Sequence, residues 1–342
     1  IKIKQKIIFM NNFLPISSPY FHNKNSIAKV MFSVCIALIP GIVAYVYRFG
    51  SQILWQIVLA ILTALCCEFL CLKLRKKSIK FFLLDGSAIL TAILIALSFP
   101  PLAPIWLIIF ATAFAIIIAK HCYGGLGQNP FNPAMVAFAV CLISFPNLML
   151  KFPPIINDFS GLFNFDNFAN FDAITSATPL DTLKTASRAN TNFNAADFAN
   201  KNYLHNAKDL YGFYILGLAY LLGGIYLLIK KIITWHIPVM FLSGIFVITA
   251  IAYLYDSNSN ITPLFHLLNS SSILGAFFIA TDPMSSCTTP KGKLIFGFCC
   301  GALAAIIRLF GTFPDGVAFA VLIMNFTSPL IETLTKPKPF GK

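Results

Sequence analysis

Residues 86–101, GSAILTAILIALSFPP, and residues 270–285, SSSILGAFFIATDPMS, decide the fold of this chain. Each opens on small residues, runs through a short apolar segment and is stopped by proline. A bilayer crossing takes about 20 apolar residues. Each stretch is too short for that and is expected either to be a half-helix or to be finished by irregular backbone buried in protein. Around them, apolar runs at 27–47, 53–72, 87–99, 104–119, 133–149, 210–229, 235–254, 272–281, 294–307 and 316–333 give ten segments. A second parallel joins AMVAFAV at 134–140 to GVAFAVL at 316–322. Five segments per copy is an odd number, so the copies run in opposite directions. Inverted repeats with interrupted segments in matching places bind ligands where those segments meet.

Composition agrees with a membrane-embedded chain. Of 342 residues, 58% are hydrophobic and 11% charged, against about 25% charged in a soluble domain. Phenylalanine, at 35 copies, suits lipid-facing and interhelical surfaces. The expected fold is therefore all-α and polytopic, with about ten transmembrane segments in two inverted five-helix repeats. A net charge of +13 would suggest nucleic acid for a soluble protein. Here the basic residues fall between apolar runs and orient them against the cytoplasmic leaflet, so no nucleic-acid partner is expected. With the N-terminus cytoplasmic, 18 of the 25 Lys and Arg lie inside and 7 outside, five of the 7 in one long loop. Both termini are thus expected in the cytoplasm of a bacterium, the chain in its inner membrane and the loop in the periplasm. The resulting division is a cytoplasmic segment 1–25, a first repeat 26–149, a periplasmic loop 150–208, a second repeat 209–335 and a cytoplasmic tail 336–342. No signal-peptide cleavage pattern follows Met10, so the first apolar run reads as a retained span. The nine cysteines lie mostly in apolar segments and form no CxxC pair. They read as packing residues, with no disulfide framework and no metal site expected.

Three polar elements stand out. In GGLGQNPFNPAM, residues 124–135, no strand precedes the glycines and no Walker lysine follows, which argues against a phosphate loop. Asn129 or Asn132 can instead cap a helix beginning at Pro130 or Pro133. The element is either a re-entrant turn or a place where glycines such as Gly125 let a planar ligand approach the backbone. In FIATDPMSSCTTPKGK, residues 278–293, Thr281 and Asp282 end a short segment. Asp282 is either a functional intramembrane carboxylate or an Asp-Pro turn accepting from backbone, Lys291 or Lys293. Asp85, before the third segment, poses the same choice, and Arg308 and Asp315 bracket the corresponding outer turn.

The third element is DAITSATPL, residues 172–180, in the long loop. Thr178 can be an N-cap, with Pro179 the first helical residue and Asp181 the third, a capping box. It can equally be the acceptor of a phosphoester, with small neighbours Ser176 and Ala177 and Asp172 upstream for recognition. The two readings are compatible, because a helix N-terminus favours an anion.

DAITSATPL resembles the flavinylation motif of the family that holds the D subunit of Rnf electron-transport complexes and the B subunit of sodium-pumping NADH:quinone oxidoreductase. SSPYFHNKNSIAKVM (17–31), GGLGQNPFNPAM, FIATDPMSSCTTPKGKLIFG (278–297) and IRLFGTFPDGVAFAVLIMN (307–325) resemble further motifs of that family, in its order. Ser176 stands where the family often has glycine. The resemblance implies FMN carried on Thr178 through a phosphoester placed by a flavin transferase, on the periplasmic side. It implies a second, non-covalent riboflavin in the helix bundle, for which Gly125, Asn129, Asn132, Thr281 and Asp282 are the candidate residues. It implies partners as well: the other complex subunits, among them a second FMN-bearing subunit and iron–sulfur subunits, linking a ferredoxin/NADH redox couple to ion translocation. On this reading the chain relays electrons and has no catalytic residue of its own. Two other classes fit the repeats: a small-solute channel or secondary transporter without flavin, and a scaffold subunit that has lost it.

Overall fold

The computed structural model describes residues 27–150, 152, 178–189, 207–257, 260–268 and 270–336. The segment 1–25, most of the loop and all but the first residue of the tail lie outside these residues, and with them Asp172, Ser176 and Ala177. All ten expected segments are helical. The first repeat holds α1 (Ile27–Phe49), α2 (Gln52–Leu74), α3 (Ser87–Ser98), α4 (Ile105–His121) and α5 (Pro133–Ser144). A loop helix, α6 (Pro179–Ala189), precedes the second repeat. That repeat holds α7 (Ala207–Ile229), α8 (His236–Tyr255), α9 (Ser270–Leu274 continued by Gly275–Ile279), α10 (Pro290–Phe310) and α11 (Val317–Thr335). Among the described residues α1, α2, α8, α10 and α11 are each long and apolar enough to cross a membrane alone. Among the described residues every regular element is a helix; the chain is a multi-pass membrane protein, and its exposed large side chains, such as Val43, Trp55, Leu62 and Leu222, are those a lipid-facing surface shows.

The short third helices occur as expected. The fifth segment differs, because α5 stops at Ser144 rather than continuing to 149. Phe145 precedes Pro146, whose ring disfavours helical backbone at the residue before it. Phe145 accordingly leaves the helix, and a single turn, Pro146–Met149, follows. The second half of α4 and of α9 widens into a π-helix, at Ala115–His121 and Gly275–Ile279.

The repeats meet along two helix pairs, α1 with α7 and α5 with α11. The first pair is close because Gly223 lies against the Ala37 carbonyl and Gly41 against the Tyr220 ring, leaving no space for a Cβ at either glycine. Small residues that let backbones approach are how helices pack where lipid supplies no hydrophobic drive.

Inside each repeat, a buried cation from the end of the fourth helix ties down the start of the half-helix. In the first, Lys120 Nζ lies 2.8 Å from Glu68 Oε2 and donates to Ser87 Oγ at 2.9 Å. Ser87 donates from both its amide and its hydroxyl to Asp85 Oδ1. In the second, Arg308 donates to Ser272 Oγ at 2.7 Å, to Ser271 Oγ at 3.1 Å and to Asp315 Oδ1. Asp315 also accepts the amide of Val317 at the start of α11. Lys120, Arg308 and Lys184 each entered the charge count as loop cations, yet all three are buried and partnered.

Candidate functional site

Among the described residues two cavities lie between the repeats, one at each end of their interface. The first, of about 150 Å³, is bordered by the end of α1 (Tyr45, Phe49), the end of α3 (Leu97, Ser98) and the starts of α9 and α11. Thr178 and Leu180 line it from the loop. Thr178 is the N-cap that the sequence implied: Pro179 opens α6, and the Asp181 amide donates to Thr178 Oγ1 at 3.3 Å. The Thr182 amide and hydroxyl both donate to the Thr178 carbonyl, at 2.8 and 2.9 Å. Three residues on from Asp181, Lys184 anchors the helix. Its ammonium, buried, donates to the carbonyls of Ile307, Arg308 and Phe313. Ile307 and Arg308 belong to the last turn of α10, where carbonyls have no partner within the helix and the dipole favours a cation. Burial pushes the Asp181 carboxyl above its usual range, with Lys184 opposing.

Two side chains of this cavity were not among the residues singled out from the sequence. Tyr45 of α1 and Tyr220 of α7 are 3% and 1% exposed, and neither hydroxyl has a protein partner. The available signal was a tyrosine inside the first apolar run of each repeat, in GIVAY (41–45) and GLAY (217–220). A buried phenol ordinarily finds a hydrogen-bond partner.

The second cavity, of about 360 Å³, lies at the opposite end. The start of α3 (Ser87, Thr91), the start of α5, the end of α9 and Lys120 border it. Four of the five residues proposed for a second ligand meet here: Asn129, Asn132, Thr281 and Asp282. Gly125 does not; it turns with φ +95 beneath Arg75 and His121, outside the cavity lining. Of the two possible caps, Asn132 is the one used: its Oδ1 accepts from Ala134 and Met135, and its Nδ2 donates to Ile279 O across the repeat boundary. Asn129 donates to Phe131 O, while its Oδ1 is buried without a partner. Asp282 accepts from the Met284 amide and from Ser285 Oγ at 2.9 Å, so the Asp-Pro turn is closed locally and not by Lys291 or Lys293. Turn and cavity wall are here one residue.

The cavities match under exchange of the repeats. The end of α3 and the start of α9 border the first, and the end of α9 and the start of α3 border the second. α1 and α7 flank both, each with opposite halves. An inverted repeat places equivalent walls at the two ends of one axis in this way.

Residues 15–341 match the model of the NQR2, RnfD, RnfE family. Proteins named as the D subunit of an ion-translocating oxidoreductase complex, from Salmonella paratyphi A (strain ATCC 9150 / SARB42) and Salmonella typhi, are each 44% identical to the chain over 344 residues. The protein of the same name from Yersinia pseudotuberculosis serotype O:1b (strain IP 31758) is 44% identical as well. In all three the alignment covers 95% of this chain and 97% of the relative. A match over nearly the whole length, with both half-helices and the Asn132 and Asp282 turns in place, makes this chain a member of the NQR2, RnfD, RnfE family.

Proposed function

We propose that the chain is an electron-carrying subunit of an ion-translocating oxidoreductase complex in the bacterial inner membrane, with FMN joined through a phosphoester to Thr178. The observation that carries this reading is the position of Thr178: a helix N-cap hydroxyl on the wall of a cavity of about 150 Å³ between the repeats. The residues present fit such a group. A phosphoester at Thr178 would put negative charge at the positive end of α6, and two tyrosines with unpartnered phenols belong to the apolar wall of the cavity beside it. Flavin would supply the exchange of one or two electrons, and the protein supplies position and electrostatics. The part played by this chain is then to hold Thr178 over the cavity through α6 and Lys184. The cavity itself is walled mostly by apolar residues such as Phe49, Leu97 and Phe138.

The second cavity is the proposed place of a non-covalent riboflavin, with the free Oδ1 of Asn129 an acceptor for a ring N–H. Electron exchange with the outside would pass to a second FMN-bearing subunit and iron–sulfur subunits, within a complex that couples a ferredoxin/NADH couple to ion movement. A flavin transferase would mature the chain on its periplasmic side.

The test is ultraviolet fluorescence of the denatured protein on a gel, wild type beside Thr178→Val, each co-expressed with a flavin transferase. A band in wild type alone is expected. A band in both would put the attachment elsewhere; no band in either, with the transferase active on a control, would favour a transporter or scaffold.

A further inference from the structure

The two orphaned phenols remain to be explained. Burying a hydroxyl without a partner is costly, and two phenols are so placed, one in each repeat, beside the same cavity. Tyr45 sits one turn below Phe49, near the end of α1, and Tyr220 sits on α7, the helix packed against it. The space for Tyr220 is shaped around its ring: Gly41 faces it closely enough to exclude a Cβ, and Phe278 meets it edge-on with centroids 6.2 Å apart. The rings are thus fixed while their oxygens are left without a protein acceptor. Most of the remaining wall is apolar, so an occupant meets few other polar groups there.

We propose that the Tyr45 and Tyr220 hydroxyls are a paired donor site for the carbonyl edge of a planar heteroaromatic ring in this cavity. This rests on the reading that Thr178 carries a flavin, whose pyrimidine carbonyls are the acceptors. Both groups donate to the ring, one from each repeat, so the ring bridges the two halves of the molecule. Donors at the carbonyls stabilise the electron-rich reduced ring more than the oxidised one. They therefore set its potential upward as well as its orientation.

The experiment is a redox titration of the covalently loaded, membrane-embedded protein, comparing wild type with Tyr45→Phe, Tyr220→Phe and the pair. Covalent loading is read on a denaturing gel in every case. Each phenylalanine keeps the ring and removes an oxygen that bonds to nothing in the protein, so folding and loading are expected to be unchanged. The reduced-to-oxidised ratio at fixed potential should fall about tenfold per hydroxyl, a shift of about 30 mV to the negative for a two-electron couple. In redox-difference infrared spectra the flavin carbonyl stretches should rise in each variant. In wild type alone they should lie below those of flavin in an apolar solvent, a measurement that needs no variant to fold. Full loading with unchanged potential and carbonyl stretches would overturn the donor site while leaving the flavin reading intact. An unloaded wild type would overturn both.

Discussion

Glu68 and Lys120 bring opposite charges to 2.8 Å in the membrane-embedded first repeat, each side chain 2% exposed. His121 Nε2 lies 3.1 Å from the same carboxylate oxygen, and Arg75 reaches His121 Nδ1 at 3.3 Å. Charges taken from water at this cost hold together because each has its partner; removing one side strands the other, typically for about 3–5 kcal/mol. Glu68→Leu alone and Lys120→Met alone are therefore expected to lower the unfolding midpoint of the solubilised protein sharply. The two together should be closer to wild type than their sum predicts, a coupling that a double-mutant cycle measures. Additive losses would mean the pair is not the unit that holds Ser87 and α3. The sequence displayed Lys120 only as one more cation near the end of an apolar run. Burial of Lys120 beside Glu68, 52 residues away, is a tertiary fact.

At the scale of elements, α6 shows how a loop helix comes to serve a membrane cavity. Its start was legible from Thr-Pro-Leu-Asp, because proline at the first position and a hydroxyl before it satisfy local needs of the helix N-terminus. Its docking was not, since the last carbonyls of α10 and Phe313 lie more than 120 residues away from Lys184. Lys184→Met should free α6 from the α10–α11 turn. It removes charge-assisted bonds worth about 1.5–3 kcal/mol each. Amide exchange within 179–189 should become faster while α10 and α11 keep their protection; an unchanged α6 would assign its docking to Leu180 and its neighbours. The half-helices were legible for a similar local reason, as Pro100 follows the end of α3 and Pro283 bars a helical continuation a turn beyond the end of α9. The early end of α5 at Phe145 followed the same rule before Pro146, but the continuous apolar run to 149 masked it.

For the whole molecule, two inverted repeats enclose two cavities, and only one carries the loop threonine. If the charge count orients the chain correctly, Thr185, exposed on α6, faces the periplasm. A Thr185→Cys protein, with its response compared to the parent because Cys66 and Cys122 are also exposed, should gain labelling by an impermeant maleimide in intact cells. A gain only after the inner membrane is opened would reverse the orientation. By itself the sequence determined the ten segments, the odd number per repeat, the two proline-stopped half-helices and the cap at Thr178. These follow from hydropathy, parity and local backbone chemistry, all of which act within a few residues. Only the tertiary structure decided that Asn129, Asn132, Thr281 and Asp282 share a wall while Gly125 does not. It alone set Thr178 over the opposite cavity, and left Tyr45 and Tyr220 buried without partners. Those depend on which helix faces cross at α1–α7 and α5–α11, a matter of packing between residues far apart in the chain.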